Sequence, residues 1–158
     1  MPRHIRILFP GQGSQHIGML DNLPTELVES FRGLALQALS FDLIDLIKNG
    51  NEEDLNKTSI TQPAILLTSF IYYKHLQNLT NIKADLMCGH SLGEYSALVA
   101  SNSITLDDAL KLVYQRGLLM ERSLKGSMYA ILNTDIDIIN YFCMKVRDDE
   151  NMVVSTAN

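Results

Sequence analysis

One short segment restricts this chain more than any other. An apolar run, Ala84 to Cys88, stops at Gly89-His90-Ser91-Leu92-Gly93, and helical spacing follows through Leu98 to about Ala100. The pattern G-x-S-x-G alone recurs by chance. Between an apolar strand and a helix it reads as a nucleophile elbow, a tight turn that strains the serine backbone and exposes its hydroxyl. Glycines at 89 and 93 let strand and helix approach closely. The start of the new helix aims backbone N–H groups and a positive dipole end at developing negative charge, so the N–H of Leu92 is a natural oxyanion donor.

The rest of the chain supplies a matching frame. Ile5 to Phe9 reads as a short buried strand that stops at the turn-rich loop Pro10-Gly11-Gln12-Gly13-Ser14. The spacing of Leu27, Val28, Phe31, Leu34, Ala35 and Ala38 predicts one helix over 25–39, and Phe41 to Ile47 predicts a shorter one. Asn49-Gly50-Asn51 breaks that pattern, and 52–57 reads as a polar turn or a short helix. Thr61, with Pro63 in the first turn, predicts a helix start, with Ile65, Leu66, Phe70, Tyr73 and Leu76 on its apolar face. Thr105 with Asp108 forms a capping-box pattern opening a helix over about 106–123. The tail predicts a strand over 127–132, a helix over 136–146 and a strand over 152–156.

This alternation predicts an α/β fold with a mostly parallel sheet and flanking helices. A domain boundary is expected near Lys125-Gly126, dividing a large α/β unit (1–125) from a second unit (126–158). The last β-like segment meets Asn158 with no closing helix, which reads as a truncated or fragmentary chain.

Composition narrows the classes. Apolar residues make up 46% of the 158 and charged residues 20%, which supports a packed core rather than disorder. Thirteen basic against 18 acidic residues give a net charge of −5, which argues against a nucleic-acid binder. Cys88 and Cys143 form no spacing motif, so neither a disulfide scaffold nor a cysteine zinc site is expected. The longest apolar stretch, Pro63 to Tyr73, is too short to span a membrane, and Ile7 to Phe9 is too short for a signal peptide. A cytoplasmic setting with free thiols is expected.

Three further features bear on chemistry. In an open α/β sheet, ligands bind beyond the carboxyl ends of the strands, where the Pro10–Gln15 loop lies if the first strand is central; a plain structural turn is the alternative reading. It is neither a phosphate loop nor a dinucleotide fingerprint: no Gly-Lys-Ser/Thr follows, and His16 stands where a third glycine is required. Arg116 lies among Leu112, Val113, Leu119 and Met120. A plain surface arginine is the default reading; one close to such a stripe would instead be partly buried and call for an anionic partner, which a substrate carboxylate would supply. Of the histidines, His90 points away from the elbow hydroxyl, His4 and His75 read as surface residues, and His16 lies near the Gln12 loop. None is an obvious general base.

Four runs in register resemble the malonyl-CoA:acyl carrier protein transacylase family. They are Phe9-Pro10-Gly11-Gln12-Gly13-Ser14-Gln15 with Gly18-Met19; Leu55-Asn56-Lys57-Thr58 with Thr61-Gln62-Pro63-Ala64; Gly89 through Leu98; and Gln115-Arg116-Gly117 with Met120. The resemblance covers essentially the whole chain but only about the first half of a family member. It implies ping-pong acyl transfer from malonyl-CoA to the phosphopantetheine thiol of acyl carrier protein, in fatty acid biosynthesis. Ser91 would be the nucleophile, the N–H groups of Gln12 and Leu92 the oxyanion hole, and Arg116 the carboxylate clamp. The thioester of coenzyme A is substrate, no cofactor or metal is implied, and the full-length enzyme would be a monomer.

The resemblance also sets the family's catalytic histidine beyond Asn158 and makes 126–158 the first βαβ of a small ferredoxin-like subdomain. Tyr129 stands where the family tends to have a small residue. The alternatives are a serine hydrolase or thioesterase using the same elbow, and an inactive, truncated acyltransferase fragment.

Overall fold

A computed structural model of the chain describes residues 4–123, 129 and 131–150. The chain divides into two compact units, Met1–Ser123 and Leu124–Asn158. In the first unit, strand β1 is Arg6–Phe9. Helices α1 (Thr25–Ser30), α2 (Arg32–Leu39), α3 (Leu43–Asn49), α4 (Glu52–Leu55) and α5 (Thr58–Leu79) follow. Strand β2 (Leu86–Gly89) leads into α6 (Leu92–Ala100) and α7 (Leu106–Glu121). The second unit contains α8 (Ile136–Glu150).

β1 and β2 pair in parallel, from Arg6 opposite Leu86 to Phe9 opposite Gly89. Both strands therefore end side by side, which brings the Pro10 loop and the elbow to the same edge. The sheet is lightly covered: Leu8 is 74% exposed and Leu86 52%. A cavity of about 510 Å³ opens beside β1, lined by Ile7, Phe9, Met19, Ile65 and Tyr73 among others.

The core sits on the helices. In α5 every residue from Thr61 to Ile71 is buried, so the helix is covered all round rather than along one stripe. Ile65, Leu66, Phe70 and Tyr73 are buried as expected, but Leu76 is exposed. α5 also starts earlier than the sequence predicts. Thr61 is not its cap but lies inside it, where its hydroxyl donates to the Leu55 carbonyl at 2.5 Å. Lys57 stands at the N-cap position but its side chain caps no helix N–H, and the Ser59 N–H donates to the Glu121 carboxylate at 2.7 Å. An acceptor from α7 thus caps the first turn. Pro63 lies in the second turn, not the first, where its missing N–H leaves out one bond of the helical ladder.

The single helix expected over 25–39 is two. Phe31 ends α1 with its N–H turned to the Val28 carbonyl, and Arg32 begins α2. The Arg32 guanidinium clamps the break, donating to Glu29 and to Asp42, the N-cap of α3. These bonds hold the Glu29 carboxyl below the usual carboxylate range and raise the Arg32 pKa. The Thr105 expectation holds: its hydroxyl accepts from the Asp108 N–H at 3.1 Å and donates to the Asp108 carboxylate at 2.7 Å. The return bond thus goes to the cap's side chain rather than to its N–H.

In the second unit, α8 runs four residues past the expected end at 146. The strand expected over 127–132 lies partly outside the described residues. Its described members Tyr129, Ile131 and Leu132 are not in a strand, with no partner segment among the described residues to pair with. The strand expected over 152–156 lies wholly outside them.

Candidate active site

The elbow forms because two glycines let three backbone segments meet. A Cβ on Gly93 would lie 2.4 Å from the Phe9 carbonyl oxygen, and one on Gly89 would lie 2.3 Å from the Gly93 carbonyl carbon. Neither position admits a side chain without moving backbone. Between them Ser91 takes φ 53° and ψ −107°, a conformation L-residues rarely adopt. Such backbone costs on the order of 1–3 kcal/mol and persists only where its surroundings over-determine it. Ser91 is exposed as the sequence predicts, and α6 begins at the next residue, Leu92. The Leu92 N–H is one of the first-turn donors with no acceptor inside the helix.

The Pro10 loop packs against this turn. A Cβ on Gly11 would lie 3.1 Å from the His90 carbonyl oxygen. The loop is tied down on its other side. The Gln12 amide donates to the Thr58 hydroxyl at 3.4 Å, and the Gln15 amide to the Asn56 side chain at 2.8 Å. Gln15 also accepts from the Gly13 N–H at 2.8 Å. Gln12 thus belongs to a loop braced between the elbow and the start of α5.

Arg116 arrives from α7. At the neighbouring Gly117 a Cβ would stand 2.4 Å from the Ser59 Cα, so α5 and α7 cross almost in backbone contact. This crossing brings the half-buried Arg116 over the elbow, where its Nη2 donates to the Ser91 Oγ at 3.0 Å. Its Nη1 donates to the Gln62 Oε1 at 2.7 Å. The guanidinium carbon lies 5.8 Å from the Tyr95 ring centroid. Among the described residues no carboxylate pairs with Arg116, so its charge is met by neutral partners.

The structure therefore brings Ser91 and Arg116 into direct contact, with Leu92 one residue on and the Gln12 loop against the elbow. Gln62, completely buried on α5, joins this group although the sequence pattern does not single it out as a site residue. Its signal was present in the Thr61-Gln62-Pro63-Ala64 run, but its partner lies 54 residues away. Neither cavity flanking the sheet is lined by Ser91 or Arg116, because the serine stands on the surface. Among the described residues no histidine hydrogen-bonds Ser91; the His16 ring meets the Ile17 carbonyl, and His4 lies 3.9 Å from Asp85. No cluster of three or more His, Cys, Asp or Glu that could hold a metal occurs among the described residues. Within them no helix is long and apolar enough to cross a membrane.

Residues 7–158 match the acyl transferase domain family. The chain belongs to this family. The malonyl CoA-acyl carrier protein transacylase of Haemophilus influenzae is 43% identical over 159 residues, an overlap of 96% of this chain and 50% of that protein. The protein of the same name from Staphylococcus aureus is 37% identical over 93% of this chain and 48% of its own length. Among solved structures, MCAT from Streptococcus pneumoniae superposes with a TM-score of 0.82 at 42% identity, covering 98% of this chain and 51% of that one. PlMCAT:AntF, a type II PKS acyl-carrier protein in complex with its malonyl-transacylase, gives 0.79 at 39% identity, covering 93% and 49%. The α/β architecture is thus that of an acyltransferase. The chain spans about half the length of the curated relatives it matches.

Proposed function

We propose that the protein acts in malonyl transfer from coenzyme A to the phosphopantetheine thiol of an acyl carrier protein, within fatty acid biosynthesis. The observation that carries this reading is the 3.0 Å contact between a strained, exposed serine hydroxyl and an arginine with no carboxylate partner among the described residues. Ser91 Oγ attacks the thioester carbonyl, its proton passes to a base, and the tetrahedral oxyanion collapses to a seryl ester with loss of the coenzyme A thiolate. The carrier thiol then attacks that ester and regenerates the serine. The N–H groups of Leu92 and Gln12 are assigned to the oxyanion; loss of one such donor costs on the order of 100-fold in rate. Arg116 is assigned to the free malonyl carboxylate, through a charge-assisted pair.

The base in this reading is the family's histidine, which the resemblance sets outside residues 1–158. Residues 126–158 are read as the start of a small ferredoxin-like subdomain, beside a large subdomain over 1–125. The reading needs no cofactor, since coenzyme A enters as a thioester substrate. A cytoplasmic monomer that binds neither nucleic acid nor membrane fits the same reading.

The test compares malonyl and acetyl thioesters in the protein and in Arg116→Ala. Malonyl transfer is expected to fall by about tenfold or more, the scale of a lost hydrogen bond to a charged group, with acetyl transfer changing less. Equal losses for both acyl groups contradict the carboxylate role. Release of free malonate without transfer to the carrier indicates the hydrolase or thioesterase alternative instead.

A further inference from the structure

Gln62 is a completely buried polar side chain in the second turn of α5, a helix buried all round from Thr61 to Ile71. Burying an amide is costly unless its polar atoms are engaged. Its Oε1 accepts the 2.7 Å bond from Arg116 Nη1, and its Nε2 donates to the Met120 sulfur at 3.2 Å, a weak acceptor. The firm bond of this residue is therefore the one to Arg116. It engages one end of the guanidinium, while the other end faces the Ser91 hydroxyl.

The chemistry of the acceptor matters as much as its position. A glutamate here would place a carboxylate on Arg116, and an incoming carboxylate would have to compete with it. An apolar side chain would leave a guanidinium N–H without its acceptor. An amide alone among side chains of this shape fixes the guanidinium and leaves its charge uncancelled. We infer that Gln62 is a positioning residue that holds Arg116 over the nucleophile without neutralising it, and so sets the preference for acyl groups that carry a terminal carboxylate. The inference rests on the role proposed above for Arg116.

Two isosteric variants test it. Gln62→Glu is expected to raise the KM for malonyl thioester roughly tenfold or more, with kcat and acetyl transfer little changed. An unchanged malonyl-to-acetyl ratio in folded Gln62→Glu overturns the inference. Gln62→Met, which keeps volume and charge, is read by nitrogen NMR of the Arg116 guanidinium. Separate, slowly exchanging Nη signals are expected with Gln62, and averaged signals with methionine. Signals equally resolved in both overturn the inference. The NMR reading needs no acyl transfer, so it decides on Gln62 even if the proposed reaction fails or Gln62→Glu does not fold. Loss of malonyl transfer by Arg116→Ala alongside unaltered Gln62 variants would keep the proposed function and remove only the positioning role.

Discussion

The candidate site rests on two supports built differently. On one side, β1 and β2 form a lightly covered parallel pair whose Leu8 and Leu86 face solvent. On the other, α5 and α7 cross deep in the core with Ser59 against Gly117. Both supports depend on a glycine that admits no Cβ, yet they deliver different groups. The strand side presents a strained serine hydroxyl, and the helix side presents a cation. The proposed nucleophile and the cation proposed to select its substrate are thus held by separate pieces of structure, which mutation can separate.

The sharpest separation is expected from the strand side. In Gly93→Ala the new Cβ meets the Phe9 carbonyl oxygen at 2.4 Å, so the elbow must shift. Acyl transfer should fall by about 100-fold for malonyl and acetyl groups alike, because displacing a reacting group by about 1 Å costs that much. A loss confined to malonyl would break the comparison. Gly117→Ala strikes the helix side, where the Cβ meets the Ser59 Cα at 2.4 Å. Unfolding experiments should record a loss of about 1–3 kcal/mol from overpacking, with malonyl transfer impaired more than acetyl. Equal impairment would mean that the crossing does not govern Arg116.

Smaller effects refine the picture. Thr105 caps α7 almost three turns from Arg116. Thr105→Ala should cost about 1 kcal/mol by denaturant unfolding and leave the malonyl-to-acetyl ratio unchanged. A changed ratio would show that the whole of α7, not its crossing point, positions the cation. The smallest effect is expected at Lys57, just before α5. Its ammonium hydrogen-bonds Asp54, and this bond, followed by that from Asn51, lowers the Asp54 pKa. Such a depressed carboxyl stabilises the fold above its unfolded pKa and loses that contribution as pH falls through its lower, folded value. Lys57→Ala should move the Asp54 titration upward by NMR, toward the ordinary carboxylate range. Stability at neutral pH should barely change, since the pair is exposed.

How much of this was legible in the sequence follows from how local each feature is. The elbow could be read because apolar strand, glycine-flanked serine and apolar helix are contiguous and every ingredient of the turn lies within ten residues. The capping of α7 by Thr105 was legible for the same reason. The break at Phe31 was not, because the apolar spacing runs on across it while Arg32, Glu29 and Asp42 fix the turn through side chains. The start of α5 at Thr58 was hidden because its acceptor, Glu121, comes from another helix. Gln62 was hidden twice over: buried amides look like core packing in a sequence, and its cation partner lies across the α5–α7 crossing. Arg116 was legible only as a cation near an apolar stripe, for which a surface position was the default reading, and its partners are an amide and the Ser91 hydroxyl.

The central claim is that Ser91, held in its strained turn beside Arg116, is the group that accepts the acyl chain. Incubation of the protein with malonyl-CoA, acid quenching and peptide mapping by mass spectrometry tests it directly. The account predicts a malonyl ester on the peptide containing Ser91 and none in Ser91→Ala. A folded protein that carries the base and acquires no malonyl group, or acquires it at another residue, contradicts the account.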